Sequence, residues 1–213
     1  MGNNIINSVF NVDCIDFMKK NEFTCNHVIT DIPYNVVSRE TGGIRKFDKA
    51  NADILTFNLA AFCNLIKSVV TENIFIFCST EQITELAKNL EEDFIVKLAI
   101  WEKTNPSPVN GQYFWLSGIE CCIVASKKEI KDIDLIFTTP AGRSKEHPTE
   151  KPPKLLDQII TKFTKENDII YDPCAGSGSH IISAIRNKRR FIGNEIFNEY
   201  YNLIRKKIEI EKL

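Results

Sequence analysis

No apolar run in the 213-residue sequence approaches the ~20 residues that a membrane-spanning helix requires. The start of the chain has no secretory h-region, and "MGNNIINS" places Ile6 where an N-myristoylation signal needs Ser or Thr. Among the seven cysteines there is no C-x-x-C pair, so no spacing points to a metal and none is expected. An odd thiol count, with Cys121 and Cys122 adjacent, reads as reduced cysteine in a cytoplasmic protein. Net positive charge is also missing: 27 Lys and Arg face 28 Asp and Glu, for a formal charge of −1. Any contact with nucleic acid must therefore use a local basic patch. Internal repeats and low-complexity segments are absent too. The composition is that of an ordinary soluble domain, 43% apolar and 26% charged, and the length suits one domain with a sizeable core.

Strand and helix patterns alternate along the chain. Strands are expected at 8–12, 27–30, 73–79, 94–103, 119–126, 168–172 and 190–195. Helices are expected at 53–70 with Asp53 as N-cap, at 81–92, at 152–164 opening on prolines, at 179–188 and at 198–213. Residues 38–52 and 104–112 read as loops from their Gly, Pro and Asn content. The alternation predicts an α/β domain whose twisted, mostly parallel sheet carries helices on both faces.

Two strand ends carry chemistry. "HVITDIPYN" (27–35) runs a buried strand into Asp31, Ile32, Pro33 and Tyr34. A nucleobase amine is a poor nucleophile because its lone pair is delocalised into the ring. Acceptors on its two hydrogens localise that pair. Asp31 supplies an anionic acceptor, and Pro33 forces residue 32 into extended geometry that aims the Ile32 carbonyl outward. Tyr34 offers a ring on which a base can stack, and a base from a duplex must flip out to reach it. The same tetrapeptide also makes an ordinary turn after a strand. The second strand end is "DIIYDPCAGSGSHIISAI" (168–185), a strand, Gly-rich turn and helix. Glycines 176 and 178 let the backbone approach a ligand, and Glu195 follows the next strand where an acid can accept ribose hydroxyls. Ile181 fills the place of the third glycine of a dinucleotide fingerprint, which weakens an NAD reading. A turn whose glycines serve packing alone is the plainer alternative.

A third stretch, "EHPTEKPPKLL" (146–156), joins these two. Together they resemble the β group of S-adenosylmethionine-dependent DNA amino-methyltransferases. The catalytic Asp/Asn/Ser-Pro-Pro-aromatic motif of that group is matched by Asp31-Ile32-Pro33-Tyr34, its cofactor loop by "DPCAGSG" (172–178), and its His-Pro-Thr motif by His147 to Pro152. The catalytic motif precedes the cofactor loop, which is the β-group order. The resemblance implies a Rossmann-like methyltransferase domain over 1–213 with permuted motif order, S-adenosylmethionine as cofactor and DNA as partner. It further implies methyl transfer to adenine N6, with cytosine N4 as the alternative, in the setting of restriction and modification. Homodimers occur in the group. By the same resemblance, Thr149 and Lys151 hold the methionine carboxylate. Asp172, Pro173, Cys174, Ala175, Gly176, Ser177 and Gly178 form the cofactor loop, Glu195 takes the ribose, and Asp13 with Cys14 lies near the adenine. His147 either joins the cofactor site or caps a turn.

Ile32 stands where the group has its first proline and Cys174 where it has a phenylalanine, which removes an aromatic wall from the methionine side. Phosphate contacts are expected from Arg39, Arg45, Lys46 and Lys49 in the Gly-containing loop, and from Arg143 and Lys145. The segment about 127–146 is short for a target-recognition insert, so a short or degenerate DNA target, or help from a second subunit, is expected. Trp101 and Trp115 are read as core or wall residues. A catalytically silent DNA-binding subunit, a glutamine-amide methyltransferase and an RNA substrate are the remaining readings.

Overall fold

A computed structural model describes residues 5–34, 54–106, 118–129, 134–141 and 150–211. Eight strands form one sheet in the order β1-β8-β7-β2-β3-β5-β4-β6. They are β1 (Ser8–Phe10), β2 (Cys25–Asp31), β3 (Val70–Cys78), β4 (Ile95–Lys103), β5 (Ile119–Ser126), β6 (Ile136–Thr139), β7 (Ile169–Asp172) and β8 (Arg190–Asn194). Only β5 is reversed, pairing antiparallel with both β3 and β4. The strands at the centre read as near-continuous apolar runs because both faces are covered. Helices α1 (Cys14–Lys20), α2 (Leu59–Val69) and α3 (Ile83–Leu90) pack one face around Phe17, Phe62, Ile66, Leu86 and Leu90. The other face carries α4 (Pro153–Phe163), α5 (Ser179–Arg186) and α6 (Asn198–Glu211), through Leu155, Ile159, Ile181 and Ile204. No helix among the described residues is long and apolar enough to cross a membrane.

Two expectations change at the level of elements. Helix α2 begins at Leu59 with Asn58 as its N-cap, whose side chain accepts the Ala61 amide at 2.9 Å. The expected cap Asp53 lies outside the described residues. Helix α2 then passes directly into β3 at Val70. Strand β6, which the pattern did not announce, adds to the sheet edge inside the 127–146 segment by pairing parallel with β4. Its four residues are too few to show a period. Trp101 is a core residue, 3% exposed, and its indole N–H donates to Thr139 Oγ1 at 2.9 Å. All seven cysteines are free thiols.

The sheet reverses its winding between β7 and β2. From β7 the chain proceeds to β8, with β1 beyond; from β2 it proceeds to β3 on the other side. Such a switch point opens a crevice at the carboxyl ends of the strands. Asp31 ends β2 and Asp172 ends β7, on neighbouring parallel strands paired through His27 with Ile170 and Val28 with Tyr171.

Candidate active site

The crevice at this switch point is a partly open cleft. Its walls include Asp31, Ile32, Pro33 and Tyr34 from the end of β2, and Pro173, Cys174, Ala175, Gly176 and Ser177 from the loop after β7. Asp13, Cys14, Lys151 and Glu195 line it as well. The acid at position 31 and the Gly176 loop therefore share one cavity. Asp172 and Gly178 do not line it. Asp172, 0% exposed, ties the loop from beneath. Its Oδ1 accepts the Thr30 hydroxyl at 2.8 Å and the Cys174 amide at 3.2 Å, and its Oδ2 meets His180 Nδ1 at 3.0 Å. Gly178 is the N-cap of α5 at φ 81°, where a Cβ would stand 2.9 Å from Ile204 Cγ1. Its glycine is required by backbone conformation and helix packing. Gly176, at φ 52°, turns the loop toward the cleft.

The close helix–strand approach that a third loop glycine commonly allows is made here from the other side. Ile181 of α5 extends onto Gly193 of β8, where a Cβ would come within 2.5 Å of Ile181 Cδ1. The small residue sits on the strand, and the branched one on the helix.

Ile32 is buried in the core, and its amide donates to the Phe77 carbonyl at 3.2 Å, a bond that a proline there would lack. The following backbone is held by Gln82, which donates to the Pro33 carbonyl at 2.8 Å while accepting the Ser79 amide at 2.9 Å.

Around Asp31 lies a charged network that the sequence motifs only partly announced. Lys151, 3% exposed, donates to Asp31 Oδ2 and to the Tyr34 hydroxyl at 3.1 Å, and pairs with Glu120 Oε2 at 3.2 Å. The Tyr34 hydroxyl donates to Glu120 Oε2 at 3.0 Å, and Lys103 pairs with Glu120 Oε1 at 2.7 Å. The Lys151 ammonium also lies 5.3 Å from the Tyr34 ring centre and 5.0 Å from that of Phe77. Burial alone would push this ammonium down, but Asp31 and Glu120 reverse that and hold it above the ordinary lysine value. Glu120 is likewise kept below the ordinary carboxylate value, because Lys151 and Lys103 outweigh its burial. For Asp31, burial wins over Lys151 and the carboxyl is pushed up. The ammonium expected at a methionine carboxylate thus faces Asp31. Glu120 and Lys103 were missed because single charged residues at the ends of β-strands read as solvated.

On the opposite wall, Glu195 accepts the Gly176 amide at 2.8 Å and the Phe197 amide at 2.7 Å. Burial nevertheless pushes its carboxyl up to about 7. A carboxylate has about four lone-pair sites, so two amides leave capacity for sugar hydroxyls. Asp13 caps α1, accepting the Ile15 amide at 2.9 Å and the Asp16 amide at 3.1 Å. Ile196 and Phe197, 51% and 39% exposed, add an apolar face at the cleft. Backbone without a Cβ, two acids and an apolar face fit a nucleoside-bearing cofactor. Cys174 stands against Cys14, and that contact together with burial pushes its thiol well up, which disfavours a nucleophilic thiolate there. His147, Thr149, Arg39, Arg45, Lys46, Lys49, Arg143, Lys145 and Trp115 lie outside the described residues.

Fold and cleft together define a Rossmann-like α/β domain whose Gly176 loop shares one cavity with Asp31 and Tyr34. A family model, N6_N4_Mtase, described as DNA methylase, matches residues 134–206. The Type II methyltransferase M2.DpnII of Streptococcus pneumoniae is 29% identical over 221 residues, covering 86% of this chain and 82% of that protein. The DNA adenine methyltransferase YhdJ of Escherichia coli K12 is 41% identical over 64 residues, 30% of this chain and 22% of that protein. The crystal structure of the M1.HpyAVI–SAM complex superimposes with a TM-score of 0.74 at 25% identity, over 94% of this chain and 98% of that one. Family match, relatives and superposition agree: the chain is similar to S-adenosylmethionine-dependent DNA methyltransferases of the β-group amino-methyltransferase kind.

Proposed function

We propose that this enzyme methylates adenine N6 in DNA, with Asp31, Ile32, Pro33 and Tyr34 as the clamp for the flipped base. The observation that carries the reading is the shared cleft: Asp31 and the Gly176 loop line the same crevice at the switch point. S-adenosylmethionine supplies a methyl group already activated on a sulfonium. The protein contributes position, desolvation and hydrogen-bond acceptors. Asp31 accepts from the exocyclic amine, the Ile32 carbonyl is the second acceptor, and Tyr34 stacks on the base. Glu195 takes the cofactor ribose, Asp13 lies on the adenine side, and backbone from Ala175 to Ser177 faces the methionine moiety.

Two features favour adenine. An aspartate stands at position 31, where the resembled group has Asp most often in its adenine enzymes. A relative whose name specifies adenine also shares 41% identity with part of this chain. The segment 127–146, part of which forms the edge strand β6, leaves little protein for reading a long DNA sequence, so short sites are the expected targets. Methyl-labelled cofactor incubated with duplex DNA, single strands, RNA and protein tests the reading, with mass spectrometry of the nucleosides. Labelled 6-methyladenine from duplex DNA is expected, and Asp31→Ala should abolish it. Labelled 4-methylcytosine alone would move the reaction to the other amine, and label confined to RNA or protein would overturn the substrate.

A further inference from the structure

Gln82 opens α3, is 6% exposed and does not line the cleft. Its backbone amide donates to the Ser79 carbonyl at 3.2 Å, closing a turn after β3. Its side chain spans from that turn to the clamp: Oε1 accepts the Ser79 amide at 2.9 Å, and Nε2 donates to the Pro33 carbonyl at 2.8 Å. A backbone N–H only donates and a carbonyl only accepts, so these partners fix which way the Gln82 amide points.

The Ser79 amide has another partner within the logic of the sheet. Strands β2 and β3 pair parallel, with Asp31 opposite Phe77. In a parallel ladder a residue sends its N–H to the residue before its opposite, and its C=O receives the N–H of the residue after it. The Ile32 amide donates to the Phe77 carbonyl at 3.2 Å, so Ile32 stands opposite Cys78. The next rung would run from the Ser79 amide to the Ile32 carbonyl. That amide goes to Gln82 instead, and the ladder stops one rung short. Ile32 lines the cleft while its side chain is packed in the core, so the strand end is anchored and its carbonyl is left out of the sheet.

We propose that Gln82 is a positioning residue for methyl transfer. By capturing the Ser79 amide it keeps the Ile32 carbonyl free to accept from the target amine, and through the Pro33 carbonyl it fixes the peptide that follows. The inference rests on the amine methylation proposed above, in which Asp31 and the Ile32 carbonyl are the two acceptors. A carbonyl that is free and rigidly held needs no reorganisation at the moment of reaction, whereas one bonded to a sheet amide must first give that bond up. Gln82 stands off the cleft, so its loss acts on the rate rather than on binding.

Gln82→Ala releases the Ser79 amide to complete the ladder. It is expected to lower the single-turnover methylation rate about 100-fold, the scale of one preorganised hydrogen-bonding group at a reacting centre. The KM for DNA and the dissociation constant for S-adenosylmethionine should change less than about threefold. Gln82→Glu keeps an acceptor for Ser79 and should restore the rate to within about tenfold of wild type. Ile32–Pro33 is the sole Ile-Pro step in the sequence, so labelling isoleucine at its carbonyl carbon and proline at its nitrogen isolates one NMR signal. That signal should move to the hydrogen-bonded position in ligand-free Gln82→Ala and keep the wild-type position in Gln82→Glu. A Gln82→Ala rate within about threefold of wild type, a loss carried by KM, or an unmoved carbonyl signal would overturn the assignment. So would a Gln82→Glu enzyme as slow as Gln82→Ala.

Should neither variant fold, the wild type still decides. Its Ser79 nitrogen should couple through the hydrogen bond to the side-chain carbonyl carbon of Gln82, and coupling to the Ile32 carbonyl carbon instead overturns the proposal. Failure of wild type to methylate any DNA amine would sink the underlying function, whereas an active wild type with an equally active Gln82→Ala sinks Gln82 alone.

Discussion

Lys151 and Asp31 stand 120 residues apart in the chain and meet as a buried ion pair in the cleft. Glu120 approaches the same ammonium from β5, so one lysine neutralises two carboxylates that would otherwise repel each other. Breaking a buried pair by deleting one partner costs about 3–5 kcal/mol, since the other charge stays desolvated. Lys151→Met should therefore lose about 3 kcal/mol in denaturant unfolding. The double variant Lys151→Met with Asp31→Asn should recover part of that loss, because the uncompensated charge is gone. A double variant as unstable as the sum of its parts would show that the pair is not coupled.

Tyr34 has two separable functions. Its hydroxyl joins the network by donating to Glu120 at 3.0 Å, and its ring forms part of the cleft wall. Tyr34→Phe keeps the ring and is expected to retain most methylation of DNA. Tyr34→Ala removes a stacking surface worth about 1–3 kcal/mol per base, equivalent to roughly 5- to 150-fold in kcat/KM. Equal losses in the two variants would assign the effect to the hydroxyl and remove the stacking role.

Both strand ends of the candidate site were legible because they combine a short apolar run with residues whose chemistry is local: Asp31 with Pro33, and glycines 176 and 178 with Glu195. The alternation of strands and helices was legible for the same reason, since each element carries its own period. The partners that complete the site were not. Glu120, Lys103 and His180 acquire meaning only when the sheet order 7-2-3-5-4 brings distant strands side by side, and nothing local marks them. The two glycines also divide in a way that composition hides, with Gly176 at the cleft and Gly178 under Ile204. Likewise, the start of α2 fell at Asn58 rather than Asp53 because both types cap equally well.

The Ile181–Gly193 contact makes a prediction about packing. Gly193→Ala adds a methyl where Ile181 Cδ1 would be 2.5 Å away, and overpacking of this kind costs about 1–3 kcal/mol. Ile181→Val alone removes that terminal methyl and costs about 0.5–1.5 kcal/mol. Combined, the two substitutions should be less destabilising than their sum, because the added carbon occupies the vacated space. Thermal unfolding of the four proteins reads the coupling directly, and strict additivity would place the strain elsewhere.

Glu195 predicts a pH dependence with a definite sign. Its carboxyl is pushed up to about 7 from the ordinary 4.5 by burial, against two backbone amides that pull it down. A raised carboxyl stays protonated in the folded state while the unfolded chain ionises freely. Its contribution to stability is therefore fully present below about 4.5, declines as pH rises, and is spent above about 7. At ~1.4 kcal/mol per pKa unit the swing is about 3 kcal/mol. Glu195→Gln removes the ionisation but also weakens one amide bond, a loss that does not vary with pH. Comparing the two proteins at pH 4 and pH 8 cancels that constant loss, and the variant should gain about 3 kcal/mol on wild type across the interval. If wild type gained instead, the Gly176 and Phe197 amides would outweigh desolvation, and Glu195 would sit ionised in the cleft throughout the neutral range.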